Sequence, residues 1–274
     1  MMLASRFRHN SPTLRSTSPL SDEQMRAVAP SIFSDAAHDS RSSRYTYIPT
    51  SRVLAGLREE GFEPFMVAQT KVRDESKRDF TKHMIRLRHV SQINSTTANE
   101  CILLNSHDGS SSFQLLAGVF RFVCSNGLVC GETSADIRVR HQGDIVSNVI
   151  EGAYTVLEDF ERIDNQREEM RGIKLSGEEK HIFASAALSL KYDPDQPSPI
   201  TEKQIISPRR IDDINSDLWS VMNVAQENMI RGGLLGRSAT GQRRRTRAVE
   251  GIDQNIKLNR ALWMLADGMA KLKA

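Results

Sequence analysis

The 274-residue chain is 39% hydrophobic and 26% charged, the balance of a globular protein with room for one large domain and appended elements. Its formal net charge of +3 excludes a polycation, so any binding of nucleic acid has to rest on where the charge sits. Three cysteines (Cys101, Cys124, Cys130), no apolar signal-peptide run, and no segment near the roughly 20 apolar residues that span a bilayer point to a cytoplasmic protein with no membrane anchor.

Residues 1–21 are rich in Ser, Arg and Pro and read as a disordered tail. Ser21 is placed to cap a short helix that Pro30 ends, and Ser31 to Arg44 reads as loop. Thr50 or Ser51 can cap a second helix through Val53, Leu54 and Leu57, stopping at Gly61. Strands follow. Phe62 to Arg73 is apolar and then alternates. His83 to His89 alternates cleanly, with Ile85 and Leu87 on the better core face and Met84, Arg86 and Arg88 on the other. Cys101 to Leu104 is a short apolar strand. In Asn105 to Gly131, Asp108-Gly109 and Asn126-Gly127 mark two turns around the apolar run Phe113 to Val123. Ile137 to Arg140 alternates again, with Arg138 and Arg140 on one side.

From Asp144 the period becomes helical. Ile145, Val149, Ala153, Val156, Phe160 and Ile163 predict a long helix to about Met170. Ser176-Gly177-Glu178-Glu179 is a capping box opening another helix. Asp193 to Pro199 is a break, Asp217 to Ile230 is helical, and a final helix covers about Ile252 to Leu272. The ordering predicts an α+β fold: a mainly antiparallel sheet over about 62–141, then a helical C-terminal half, all in one domain over 22–274.

Between the last two helices lies the most biased segment, Arg231 to Arg247, with six arginines, four glycines and no acidic residue. It reads as a flexible loop, because glycine entropy and charge repulsion both oppose packing. Arg231, Arg237, Arg243, Arg244, Arg245 and Arg247 each offer a fork of donors that fits a phosphate. A solvated linker, or pairing with the acidic residues around Glu158 to Glu169, is the bland alternative. Arg86, Arg88, Arg138 and Arg140 would add a basic sheet face. Against this stands an aromatic content of only 6%, since single-strand binders use aromatic platforms.

Tyr45 to Thr50 (YTYIPT), Asn105 to Ser110 (NSHDGS), Cys124 to Gly131 (CSNGLVCG) and Leu258 to Leu265 (LNRALWML) resemble the YafZ/YfjQ/YubP family of uncharacterised proteins from enterobacterial prophages and plasmids. The resemblance covers nearly the whole chain from about Ser21. It implies a mobile-element setting, a bacterial cytoplasm and no assigned active site to carry over. It also implies a distant similarity to single-strand annealing recombinases of the Red-beta/RecT type.

His107-Asp108 is the sharpest catalytic-looking pair, suited in type to acid/base work with Ser125 or Asn126. An Asp-Gly turn explains Asp108 equally well. Cys124 and Cys130 are spaced more widely than structural zinc ligands, so no metal is expected even with Cys101 and His107 nearby. Gly232-Gly233 and Gly236 lack the Lys-Ser/Thr of a phosphate loop, and no cofactor is implied. Together these features predict a DNA- or RNA-binding accessory protein, a single-strand annealing role included, without catalytic turnover. An enzyme built on His107 and Asp108, or a host-factor interaction protein using the long helices, are the alternatives. Self-association into a homo-oligomer stays open.

Overall fold

The computed structural model describes residues 12–41, 45, 47–93, 97–122, 126–130, 137–138, 145–193 and 195–273, with Asn126 and Arg138 described as backbone alone. The chain divides into two compact units, 1–127 with 133–160, and 128–132 with 161–274.

The first unit holds most of the sheet. The elements up to there are β1 (Thr13–Arg15), α1 (Asp22–Val28), α2 (Thr50–Glu59), β2 (Phe62–Gln69), β3 (His83–His89), β4 (Thr97–Asn105), β5 (Gln114–Arg121), β6 (Asn126–Val129), whose last two residues are counted with the second unit, and β7 (Ile137–Arg138). The strands lie in the order β1-β2-β3-β4-β5-β6, with β7 also pairing β5. The pairs from β1 through β5, and β5 with β7, are antiparallel. Alternation sets the register: Ile85 lies between Val67 and Leu103, and Leu103 faces Leu115, so one row of aliphatic side chains crosses four strands. Each such buried side chain contributes roughly 1.5–3 kcal/mol.

Three local readings change here. Thr13–Arg15, inside the expected tail, is an edge strand with Leu14 opposite Val67. Ser21 caps α1 through a reciprocal box with Gln24, as its sequence position predicts. At α2, however, Pro49 occupies the cap position with no side-chain bond, and Thr50 is the first helical residue. The Thr50 hydroxyl is drawn instead into a buried polar cluster. β3 differs from the expected half-buried strand too, because both of its faces are buried.

The second unit is helical: α3 (Ile145–Gly172), which enters it from the first, then α4 (Gly177–Ser189), α5 (Glu202–Ile205), α6 (Leu218–Arg231) and α7 (Ile252–Lys273). The predicted box opens α4, with Glu179 N donating to Ser176 Oγ at 3.2 Å and Ser176 N to Glu179 Oε2 at 2.7 Å. Trp219 and Trp263 meet edge to face, centroids 6.5 Å apart, inside the core. α6 is enclosed on every side, since Asn223, Gln226, Glu227 and Asn228 are buried along with Leu218, Met222 and Met229. Its polar flank is satisfied inside the fold: Asn228 Nδ2 donates to the Ile205 and Ser207 carbonyls, and Gln226 Nε2 to Asn259 Oδ1 at 2.7 Å.

Candidate nucleic-acid interface

The arginine segment is not a loop throughout. Leu235–Arg237 (β8) and Arg243–Arg245 (β9) pair as an antiparallel ribbon, with Leu235 opposite Arg245, Gly236 opposite Arg244 and Arg237 opposite Arg243. Glycine makes this possible at two places. Gly232 sits at φ 61°, and a Cβ there would come 2.6 Å from the Arg247 carbonyl carbon, so only glycine lets the two ends of the ribbon close. At Gly236 a Cβ would lie 2.0 Å from the Pro199 oxygen, so the ribbon rests directly on that backbone. Arg237 N donates to the same oxygen at 2.9 Å.

The neck is clasped from several sides. Gly233 N donates to Thr246 O at 2.8 Å, and Arg209 Nη2 to Gly232 O at 2.7 Å. Lys191 Nζ donates to Met229 O at 2.6 Å and Arg247 O at 2.9 Å, and burial lowers its pKa to about 8.

The ribbon displays its charge. Arg237, Arg243, Arg244, Arg245 and Arg247 are exposed, and none makes an ion pair among the described residues. Their guanidinium contacts are to backbone oxygens: Arg237 to Gly241 O at 3.1 Å and Arg245 to Gly233 O at 2.8 Å. Arg231 stands apart. It pairs with Glu227 at 2.6 Å, and Glu227 also holds Arg210.

The sheet arginines have a different fate. Arg86 and Arg88 are each 2% exposed and grip the fully buried Glu100, Arg86 Nη1 at 2.8 Å and Arg88 Nε at 2.9 Å. The Arg88 guanidinium lies 4.3 Å from the Phe65 ring centroid and 4.2 Å from that of Phe120. Arg86 Nη2 reaches the Gly127 carbonyl at 3.3 Å. Burial pushes the Arg88 pKa down and Glu100 opposes that shift. This placement makes a buried ion triad, not the solvent-facing basic surface expected of the pair. Arg138 is described only as backbone opposite Gln114, and Arg140 lies outside the described residues.

His107 and Asp108 serve different partners. Asp108 Oδ1 accepts from Ser110 N at 2.9 Å and closes its own turn. Cys124 and Ser125 lie outside the described residues. Cys101 and Cys130 are both buried, and among the described residues no three His, Cys, Asp or Glu are grouped to hold a metal. No described helix is long and apolar enough to cross a membrane.

His107 points inward, to a cluster that sequence reasoning missed. Gln69 Nε2 donates to Arg78 O at 2.8 Å, which turns Gln69 Oε1 toward Ser31 to accept from its N at 3.0 Å and its Oγ at 2.7 Å. With that proton committed, Ser31 Oγ accepts from His83 Nδ1 at 2.9 Å. His83 Nε2 then carries the lone pair and accepts from Thr50 Oγ1 at 3.0 Å, which itself accepts from Asn105 Nδ2 at 2.9 Å. His107 Nε2 lies 3.4 Å from the same Thr50 oxygen, and Tyr47 packs on its ring at 4.9 Å. Burial, with His107 nearby, lowers the His83 pKa to about 3; burial lowers that of His107 to about 4 against the Ser31 carbonyl and Asp108. The partners are 33 to 57 residues apart, so no local spacing announces them.

Comparison with known proteins places the whole chain. The model of the family described as a domain of unknown function (DUF932) matches residues 37–263. The chain is 51% identical over 267 residues to the UPF0380 protein YafZ of Escherichia coli strain K12, covering 97% of each chain. It is 52% identical over 265 residues to the UPF0380 protein YfjQ of the same strain, covering 97% of this chain and 96% of that one. No solved structure matches. With a family model spanning most of its length and relatives above half identity end to end, this protein belongs to the DUF932 family, alongside the UPF0380 proteins.

Proposed function

We propose that this protein is a nucleic-acid-binding accessory factor of mobile elements, acting in the cytoplasm without turnover, with the β8–β9 ribbon as its principal contact. One observation carries the reading: Arg237, Arg243, Arg244, Arg245 and Arg247 are exposed together on a glycine-clasped ribbon, with no carboxylate paired to them among the described residues. Guanidinium forks held this way neutralise phosphates and release their counterions. A preformed ribbon also loses less entropy on binding than a loose loop. Arg86 and Arg88 do not enter this reading, since both are buried in the sheet and share the single carboxylate of Glu100.

The test is an anisotropy titration of the full chain against single- and double-stranded DNA across salt. Changing Arg243, Arg244, Arg245 and Arg247 to Ala is expected to flatten the slope of log K against log salt by roughly 3 to 4 units. No binding at low salt, or a slope unchanged in the variant, would remove the ribbon from the reading.

A further inference from the structure

Beside the ribbon runs a groove of about 480 Å³, lined by Pro199, Ile200, Gln204, Leu235, Arg237 and Arg243 among others. Its size is in the range that holds a small organic ligand. Its polar residues are mostly committed elsewhere. Gln204 Nε2 donates to Leu235 O at 2.7 Å, and Gln204 Oε1 accepts from Thr201 N at 3.0 Å. Ser198 Oγ donates to Ile200 O at 2.8 Å. The two arginines are not so committed. They face each other directly across the ribbon, a like-charge pair that disfavours the strand pairing unless an anion lies between them. Arg237 has one contact, to Gly241 O, of the five N–H groups a guanidinium carries. Next to this charge stands Leu235, 59% exposed, an apolar side chain beside an anion site.

We propose that this groove seats one nucleoside 5′-phosphate unit. The phosphate bridges Arg237 and Arg243, and the base lies against Leu235 and Pro199. A bare phosphate would use only the arginines, whereas the apolar wall gives a planar base a surface to cover and the guanidinium planes can stack on it. The proposal rests on the reading of the ribbon as an anion-binding element and adds the base as a recognised group. The same chemistry is offered by a free mononucleotide and by one unit of a polynucleotide.

Calorimetric titration of the full chain separates these cases, with AMP, ribose 5-phosphate, an oligonucleotide and heparin as probes. AMP is expected to bind roughly tenfold more tightly than ribose 5-phosphate, the gain that base packing provides. Leu235→Ser should remove that gain and leave heparin affinity unchanged, and Arg237→Ala should weaken all four probes. An oligonucleotide binding more tightly than AMP identifies a polymer unit; an oligonucleotide no tighter identifies a free nucleotide. AMP no better than ribose 5-phosphate, or Leu235→Ser weakening AMP and heparin alike, overturns the base-packing proposal while the polyanion reading stands. AMP binding with heparin and oligonucleotide silent would sustain the groove and sink the polyanion reading.

Discussion

Between pH 7.5 and pH 5 the protein is expected to lose about 4 kcal/mol of folding stability, a steep fall for a domain whose total is on the order of 5–15 kcal/mol. The cause is the buried pair His83 and His107, both with folded pKa values below their ordinary 6.5. Above about pH 7.5, a unit past the ordinary 6.5, neither the folded nor the unfolded chain binds a proton at these rings, and stability is complete. As pH falls toward about 4 and 3, the unfolded chain takes up two protons that the folded chain refuses. Two protons correspond to about 3 kcal/mol per pH unit. Protonating His83 Nε2 also sets an N–H against the Thr50 hydroxyl that now donates to it. Urea unfolding at pH 7.5, 6.5, 5.5 and 5 reads the slope directly, and His107→Asn should roughly halve it. Equal stability at pH 6.5 and 5 would show that the rings titrate normally.

Glu100→Ala is expected to cost roughly 3–5 kcal/mol, because it strands two buried guanidiniums without their carboxylate. Arg86 and Arg88 are each 2% exposed and Glu100 0% exposed, so water cannot replace the lost partner without opening the sheet. Replacing the whole triad, with Arg86→Met, Arg88→Met and Glu100→Leu, should recover most of the loss, since an apolar set of similar volume needs no counter-charge. Denaturant melts of the three proteins decide it. A triple variant no more stable than Glu100→Ala would mean that packing around Phe65 and Phe120, and not charge balance, dominates the site.

These two sites also show what a single sequence conveys. Ser21 was legible as a cap, and Ser176 as a full capping box, because such signals are complete within four residues. The sheet was legible because His83 to His89 carries its period of two in the open. The triad was not, because the partner of Arg86 lies 14 residues away on another strand, and alternation alone makes an arginine face look solvated. The edge strand at Thr13–Arg15 is three residues long, too short for any periodicity. The ribbon was hidden for another reason. Glycine and repeated like charge oppose strand formation, and the contacts that overcome them, from Lys191, Arg209 and Pro199, come from distant parts of the chain. Its arginines were legible as candidates; the groove they share with Leu235 was not.

The burial of α6 on all sides has a consequence for how the helical unit breathes. A helix with no flank toward solvent cannot fray residue by residue, so its amides exchange with deuterium only when the packing around it comes apart as a whole. The central turns of α6, around Met222 to Gln226, should therefore keep their protons longest, and their exchange should report the global opening of that unit.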